Sequence, residues 1–267
     1  MALSTAAGNA ITSLGRLAIF LNQEIGRIAV FFAKGFFFIF VPPFQFDKII
    51  RQVYFIGMTS VFVICLTGVF TGMVLGLQGY YTLVKFGAEG LLGAAVALSL
   101  IRELGPVLTA IMVIGRAGSA MAAEIGIMRI SEQIDALETM NIDPVRYLLS
   151  PRIVASLISF PLLTAVFNVV GIAGGYITAS GLLGLSRGIY FGRVETSVIL
   201  ADVTGGFLKS VAFSVVVVTI CCYQGYYTHI RKRGFGAEGV SFSTTSAVVL
   251  SCVTVLVVDY ILTSFLL

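Results

Sequence analysis

Two adjacent charged residues, Arg102 and Glu103, lie inside an otherwise apolar segment, residues 97–110 (ALSLIRELGPVLTA). Ionisable side chains within a membrane segment are costly, and they normally face a cavity or a partner group. Neighbouring residues of a helix point about 100° apart, so these two charges do not face each other and each needs its own partner. Two interpretations stay open: a polar site near the path of an anionic head group, or a structural bridge to another helix.

Three further residues stand out in the apolar segments. Pro106 has no backbone N–H to bond the carbonyl of residue 102, so we expect a local kink there. Lys209 stands near the start of a later apolar segment, where its long side chain can snorkel toward the membrane surface in a structural role. Asp259 interrupts the last apolar segment and is expected to face other helices, with its partner unknown.

A polar, amphipathic stretch follows the first charged segment. Ile127, Ile130, Ile134 and Leu137 recur at spacings of three, four and three residues, which puts them on one face of a helix. Charged residues occupy the other faces. The stretch is therefore predicted to be a helix with one face on the membrane domain and one face free. The spacing does not decide whether the free face is solvated or docks a soluble partner.

Signals for catalysis or nucleotide binding are weak in this chain. His229 is the single histidine, which argues against a Ser-His-Asp site or a multi-histidine metal site. The four cysteines fall in apolar runs without a CxxC pair and are predicted to act as small hydrophobic residues. Residues 234–239 satisfy GxGxxG, but they lie between apolar segments and are predicted to be a loop. No GxxxxGK[ST] occurs, so we expect no enzyme, no metal and no ATP site in this chain.

The composition is that of a membrane protein. The 267 residues are 58% hydrophobic and 11% charged, whereas a soluble domain carries about 25% charged residues. This predicts an all-α integral membrane protein. The net charge of +4 is too small to argue for a nucleic-acid partner.

The pattern of apolar runs predicts five spans after an N-terminal appendage. Residues 1–50 form the appendage, in which residues 11–46 are predicted to be an amphipathic helix in the membrane interface, although a short first span stays open. Residues 51–267 form the membrane domain. The spans are expected near 53–78, 90–116, within 153–186, near 207–226 and near 243–267, with a polar connector at about 120–150 and a polar loop at 184–206. Glycines at 68, 72, 76 and 79 predict a close approach of another helix to the first span.

The basic residues predict an orientation, because cytoplasmic segments are enriched in Lys and Arg. With the N-terminus in the cytoplasm, twelve basic residues fall on that side and three on the other, and the C-terminus is outside. The twelve are Arg16, Arg27, Lys34, Lys48, Arg51, Arg116, Arg129, Arg146, Arg152, Arg231, Lys232 and Arg233, against Lys85, Arg187 and Arg193. Residues 78–90 and 224–239 share a short pattern, which is either an inverted repeat or a coincidence among turn residues.

Four segments carry a resemblance to a known family: GVFTGMVLGLQG (68–79), ALSLIRELGPVLTA (97–110), GRAGSAMAAEIGIMRISEQIDALETM (115–140) and NIDPVRYLLSPR (141–152). They closely resemble the MlaE/YrbE family, the permease subunits of MCE-type ABC transporters. The resemblance covers about residues 50–265 and is weaker before them.

The resemblance implies a homodimeric permease in the bacterial inner membrane. Each copy would have an interfacial N-terminal helix and five spans. A separate ABC ATPase subunit would bind ATP and Mg, an MCE-domain protein would sit on the periplasmic side, and an accessory subunit is possible. The substrate would be phospholipid or a related lipid.

The resemblance also implies which residues act. The connector between spans two and three would be the coupling helix seated in the ATPase, with Glu124, Arg129, Glu132, Asp135 and Glu138 at the contact. A lipid pocket between the two copies would be lined by Leu75, Leu83, Arg102, Glu103, Leu104 and Lys209.

Two other functions stay open on the residues alone. One is an ion-coupled secondary carrier that uses Arg102, Glu103 and Asp259. The other is a membrane anchor for a signalling complex, which would neither bind nor transfer lipid.

Overall fold

The computed structural model describes residues 2–42, 45–230 and 236–266, and this part of the chain is helical and has no β-strand. The helices are α1 (Ala2–Phe37), α2 (Phe46–Ile56), α3 (Val61–Leu83), α4 (Leu92–Ser99), α5 (Gly105–Val113), α6 (Ser119–Ile130), α7 (Gln133–Thr139), α8 (Pro144–Gly181), α9 (Arg187–Ser197), α10 (Leu200–Tyr226) and α11 (Gly236–Leu266). Short 3₁₀ or π segments join several of them.

Within the described residues, five helical segments are long and apolar enough to cross a membrane, which confirms the predicted all-α architecture with five spans. Span one is Phe46–Phe86, span two is Glu89–Ile130, span three is Pro144–Gly181, span four is Leu200–Tyr226 and span five is Gly236–Leu266. Every span exceeds the about 20 residues that a bilayer core requires. The helices therefore continue beyond their apolar centres.

Several predicted boundaries are wrong for that reason. Span two continues to Ile130, so the first third of the predicted polar connector is helix α6. Span three begins at Pro144, directly after Asp143, whose carboxylate accepts hydrogen bonds from the backbone N–H groups of Val145 and Arg146 at 2.9 and 3.1 Å. An N-terminal cap followed by proline is a strong helix start, and it lies upstream of the apolar run that the prediction followed.

The predicted polar loop at 184–206 contains helix α9 and the start of α10. The side chain of Ser186 accepts a hydrogen bond from the N–H of Ile189 and caps α9. Tyr190 is buried against α4 and donates its hydroxyl proton to the carbonyl of Ile172 at 3.1 Å. A single buried tyrosine thus docks this polar helix on the end of the bundle.

The predicted close approach of a helix to the glycines of span one is confirmed, and the partner is α8. A Cβ atom at Gly72 would collide with the backbone of Gly171, and one at Gly76 would lie 3.0 Å from the carbonyl oxygen of Gly175. Backbones in contact at this range exclude any larger side chain. Spans one and three are therefore one rigid pair.

The N-terminal helix α1 is not one of the five candidate spans. Near its end, Phe31 is buried and packs against the rings of Tyr223, Tyr226 and Tyr227 at the end of α10. The Tyr223 hydroxyl donates a hydrogen bond of 2.6 Å to Glu24. The position of this helix in the membrane interface stays a prediction.

Some predictions fall on residues 231–235, which lie outside the described residues. They concern the basic residues Arg231, Lys232 and Arg233 and the first two positions of the GxGxxG stretch. The part of that stretch that is described, from Gly236 onward, is the first turn of α11, so the prediction of a loop is wrong there.

Span four is the centre of the bundle. Helix α10 packs against α5, α6, α8 and α11, and 61% of its most apolar stretch is buried, against 11% in α11. Because α10 packs against these helices, a polar side chain on α10 can contact side chains of spans two and five.

Candidate functional site

The segment that carries Arg102 and Glu103 is π-helical. Residues Leu100–Leu104 form a π turn between α4 and α5, and the N–H of Gly105 donates to the carbonyl of Leu100, five residues back. Pro106 follows and cannot bond the carbonyl of Arg102. That carbonyl instead accepts a hydrogen bond of 3.0 Å from the Nζ of Lys209. The helix is thus irregular where a kink was predicted, with a π turn at this point. A lysine from another span donates to the carbonyl that Pro106 leaves free.

Arg102 and Glu103 have separate partners, as predicted. The Nε of Arg102 donates to the Oδ1 of Asp202 at 2.7 Å, and the Nζ of Lys209 donates to the Oε2 of Glu103 at 2.6 Å. Asp202 also accepts a hydrogen bond from the N–H of Ile199 at the start of α10. The two charges of span two therefore anchor it to span four at two points.

Lys209 is the centre of the cluster, and the prediction that it snorkels is wrong. Its side chain is only 3% exposed. The three ammonium protons are directed at Glu103, the Arg102 carbonyl and the hydroxyl of Thr263, at 2.6–3.0 Å. An ammonium has three protons, so its further contact with Asp259 at 3.2 Å is an ion pair without a hydrogen bond. Lys209 is thus the unknown partner of Asp259.

A cavity of about 280 Å³ opens beside this cluster. Its wall combines the charged residues with small and apolar ones and is formed by Arg102, Glu103, Ile199, Ala201, Asp202, Gly205, Gly206, Lys209, Thr263 and Leu266. Arg102 and Glu103 keep 42% and 39% of their side chains exposed, so both present charge to this space. The arrangement is suited to binding a polar or charged group at the end of the bundle that carries α9.

The three predicted leucines lie elsewhere. Leu75, Leu83 and Leu104 are partly buried and pack against the hydrophobic core, and none of them is part of the cavity wall within the described residues. Thr263 and Asp202 belong to the site although the sequence reasoning did not assign them to it. Thr263 carried no signal in the sequence, whereas Asp202 was visible only as a charge in a predicted loop.

The predicted amphipathic connector is not one helix. Helix α6 ends at Ile130, Glu132 adopts a left-handed backbone with φ of 58°, and α7 begins at Gln133. The apolar stripe is broken with it, because Ile134 is buried whereas Ile127 is 55% exposed. We call residues 131–143, which contain α7 and its flanking turns, the elbow.

The five predicted coupling residues fall into two groups. Glu124 accepts a hydrogen bond of 2.8 Å from the buried Arg152, which joins α6 to α8, and Arg129 donates to Asp135 at 2.8 Å, which joins α6 to the elbow. Glu132 and Glu138 are exposed at the elbow. Glu132 forms no ion pair among the described residues, and Glu138 accepts only a long bond of 3.5 Å from Tyr226.

His229, which the sequence reasoning used only as an argument against catalysis, joins this network. Its Nδ1 accepts a hydrogen bond of 2.9 Å from the Nε of Arg129. Partial burial, and then the positive charge of Arg129, lower the pKa of His229 below its ordinary value. The neutral imidazole is therefore the form that ties the end of span four to the elbow.

No metal site is evident in residues 2–42, 45–230 and 236–266, where no group of three or more His, Cys, Asp or Glu side chains is placed to hold an ion. The polar groups of the cavity are engaged with one another in ion pairs.

A helical bundle with five candidate spans and a charged cavity defines an integral membrane protein, and comparison with known proteins places it among transport subunits. Residues 49–265 match the family model described as Permease MlaE. The chain belongs to the MlaE permease family.

Individual relatives cover nearly the whole chain. A permease protein MlaE of the intermembrane phospholipid transport system from Haemophilus influenzae is 41% identical over 261 residues, 97% of each chain. A probable ABC transporter permease protein from Rickettsia bellii is 40% identical over 255 residues, 96% of each chain. The chloroplast protein TRIGALACTOSYLDIACYLGLYCEROL 1 of Arabidopsis thaliana is 37% identical over 78% of this chain and 58% of its own length.

Proposed function

We propose that this chain is the permease subunit of an ABC transporter that moves phospholipid between the bacterial inner membrane and a periplasmic MCE-domain partner. The observation that carries the proposal is the charged cavity of spans two, four and five in a chain of the MlaE permease family. Ionisable groups within membrane spans normally mark substrate or ion pathways. A phospholipid has a charged head group for the cavity and apolar chains for the exposed faces of the spans.

The cavity holds the head group against Arg102, Glu103 and Lys209. The first two present charge to the space, and Lys209 fixes their positions. Leu75, Leu83 and Leu104 contact the acyl chains. Because these leucines lie away from the charged wall of the same polypeptide, the head group and the acyl chains must occupy different parts of the pocket.

A second copy of the chain completes that pocket. Helix α11 supports this part of the proposal, because only 11% of its most apolar stretch is buried. Large exposed apolar faces mark either lipid contact or helix association. An MCE-domain protein binds on the periplasmic side, and an accessory subunit can join it.

The elbow receives the ATPase subunit, which binds ATP and Mg. Glu132 and Glu138 make the contact with the partner, while Glu124, Arg129 and Asp135 transmit its motion through their ion pairs with α8 and the start of α7. Movement of the elbow is passed to span two, which is helical from the charged cluster to Ile130 and includes a π turn at Ile114–Gly118.

The orientation follows from the same assignment. The N-terminus and the elbow face the cytoplasm, and the C-terminus and the cavity face the periplasm. Residues 1–50 are the interfacial region and residues 51–267 the permease domain. The distribution of basic residues supports this choice.

The test is lipid transfer by the assembled complex, reconstituted in vesicles and supplied with ATP. Glu103→Ala should abolish most transfer, whereas Glu195→Ala in α9, an exposed residue outside the cavity wall, should leave it unchanged. The chain purified alone should hydrolyse no ATP. Equal transfer by both variants would contradict the lipid role of the cavity, and ATP hydrolysis by the isolated chain would contradict the division of labour.

The buried charges also favour an ion-coupled carrier as a second candidate, since Glu103, Lys209 and Asp259 form a cluster of the kind that proton-coupled transporters use. The same vesicles separate the two. Transfer that needs a membrane potential but no ATP would establish the carrier, and transfer that needs ATP at zero potential would reject it.

A further inference from the structure

The charges around the cavity are not balanced. Two cations, Arg102 and Lys209, face three carboxylates, Glu103, Asp202 and Asp259. With all five ionised, the cluster carries one negative charge in excess. Within a membrane segment an uncompensated charge is costly. A ligand with a net positive charge therefore improves the balance, a zwitterion leaves the net charge unchanged, and a ligand with a net negative charge makes the excess larger.

The two cations are not equally available to a ligand. All three ammonium protons of Lys209 are donated to oxygen atoms of the protein. Arg102 uses its Nε for Asp202, and its terminal amino groups have no hydrogen bond or ion pair within the described residues. A guanidinium whose two terminal amino groups are both free is well suited to the oxygens of a phosphate. Arg102 is therefore the phosphate contact of the cavity.

The exposed part of Glu103 supplies the complementary contact. One of its oxygens accepts a hydrogen bond from Lys209 at 2.6 Å, and both lie 3.2 Å from the Thr263 hydroxyl, whose single proton has the Asp259 carbonyl at 2.8 Å as a closer acceptor. A carboxylate accepts about four hydrogen bonds, so acceptor capacity is left on the 39% of its side chain that faces the cavity. Arg102 and Glu103 are consecutive residues, which puts a phosphate contact and an ammonium contact on the same wall.

The lining also distinguishes between kinds of ammonium. No aromatic ring is part of the cavity wall among the described residues. Quaternary ammonium groups, which have no N–H, are typically bound by aromatic cages. A primary ammonium instead donates hydrogen bonds to carboxylates. The volume of about 280 Å³ is just below the range of ligand pockets, about 300–1,000 Å³, and fits a head group rather than a whole lipid.

We infer that the cavity selects a zwitterionic head group that carries a phosphate and a primary ammonium, with Arg102 on the phosphate and Glu103 on the ammonium. The inference rests on the proposed function, because it specifies which phospholipids the permease takes. Lipids of net negative charge bind less well because they add to the negative excess of the cluster.

The first test uses the unmodified protein, with the subunits that purify with it, in nanodiscs of defined composition. The nanodiscs contain phosphatidylethanolamine and one competitor in equal amounts: phosphatidylglycerol, phosphatidylcholine or N-acetylated phosphatidylethanolamine. Lipid retained by the protein after transfer to detergent is measured by mass spectrometry. We expect phosphatidylethanolamine to be enriched about fivefold over each competitor, the effect of one partly exposed charge pair.

Each result of this test has a defined meaning. Equal or stronger retention of phosphatidylglycerol would overturn the charge argument, and equal retention of phosphatidylcholine would overturn the preference for a primary ammonium. Retention of no lipid in any nanodisc would overturn the proposed function and this inference with it. Retained lipid without a preference would overturn the inference alone.

The second test assigns the preference to Glu103. Glu103→Gln keeps an oxygen for Lys209 but removes the negative charge, and Glu195→Gln makes the same change on an exposed residue outside the cavity wall. We expect Glu103→Gln to lose the enrichment of phosphatidylethanolamine while still retaining lipid, and Glu195→Gln to keep the enrichment. Enrichment that is unchanged in Glu103→Gln would contradict the assigned role.

Discussion

The charged cluster at Lys209 and the elbow at Arg129 are built from similar parts but differ in their surroundings. In each, one cation joins groups from different elements: Lys209 joins Glu103 and Asp259, and Arg129 joins Asp135 and His229. Lys209 is buried between spans, whereas Asp135 is half exposed at the end of the bundle. Breaking a buried pair leaves an uncompensated charge, while an exposed pair is replaced by water. The first is therefore suited to hold a fixed site and the second to move.

The largest effect is expected from Lys209→Met. It leaves Glu103 and Asp259 without their cation and the Arg102 carbonyl without its donor. The variant should lose about 3 kcal/mol of unfolding free energy, because one partner of a buried pair is removed. Denaturant unfolding in detergent measures this loss.

The control for this prediction is Lys85→Met, at an exposed lysine outside the cluster. The double variant Lys209→Met with Glu103→Gln should recover part of the stability, since it removes a carboxylate together with its cation. If Lys209→Met and Lys85→Met lost the same unfolding free energy, the charged cluster would contribute no more to stability than an exposed lysine does.

At the elbow, charge reversal should act on association rather than on folding. Glu132→Arg places a cation where the proposed ATPase contact has an exposed carboxylate, and Glu132 has no ion pair within the described residues to lose. Binding of the ATPase subunit should weaken about tenfold, because a like-charge contact replaces a favourable one. Asp135→Arg is a less clear test, since Asp135 also pairs with Arg129.

Association of the two subunits is measured by titration of the purified ATPase against the permease in nanodiscs. Glu195→Arg on α9 makes the same charge change away from the elbow and should leave the affinity unaltered. An unaltered affinity for Glu132→Arg would remove Glu132 from the docking surface.

Arg129→Gln tests whether the bonds of Arg129 stabilise the elbow locally or the whole bundle. The change removes the bonds to Asp135 and His229, and the expected loss is about 1 kcal/mol because these groups are partly exposed. Hydrogen exchange of the α7 amides should become faster while exchange in α10 stays unchanged. Arg193→Gln serves as the matched control, and an effect spread over the whole bundle would contradict a local role.

The smallest effect is expected from the protonation of His229. Its pKa is lowered in the folded protein, so the folded state binds fewer protons than the unfolded state below the ordinary pKa of about 6.5. The stabilising bond from Arg129 is fully present above that value and is lost as the pH falls through the folded pKa. The expected change is below about 1 kcal/mol, since the ring is partly solvated.

Measurements of the unfolding free energy at pH 7.5 and at a pH of about 5 check this prediction. His229→Asn keeps an acceptor for Arg129 but does not titrate, so it should flatten this part of the pH dependence. A wild-type profile that matches the variant would show that His229 does not contribute to the stability of the elbow.

The sequence predicted the architecture well because membrane insertion depends on local quantities. Apolar runs longer than a bilayer core and glycines at a spacing of four specify five spans and a closely packed pair without reference to distant residues. The sequence also predicted that Arg102 and Glu103 have separate partners, because the directions of neighbouring side chains follow from helix geometry alone. Boundaries were predicted less well, because the helices extend past their apolar centres to caps such as Asp143.

Tertiary structure decided what each charge contacts. The amino-acid sequence alone determined that Lys209 and Asp259 lie in apolar segments, but not that they meet each other and Glu103. That meeting depends on how spans two, four and five pack, and the packing also directs Lys209 inward to a carbonyl that Pro106 leaves free. Periodicity is a property of a single helix, whereas a site between helices exists only once they have packed.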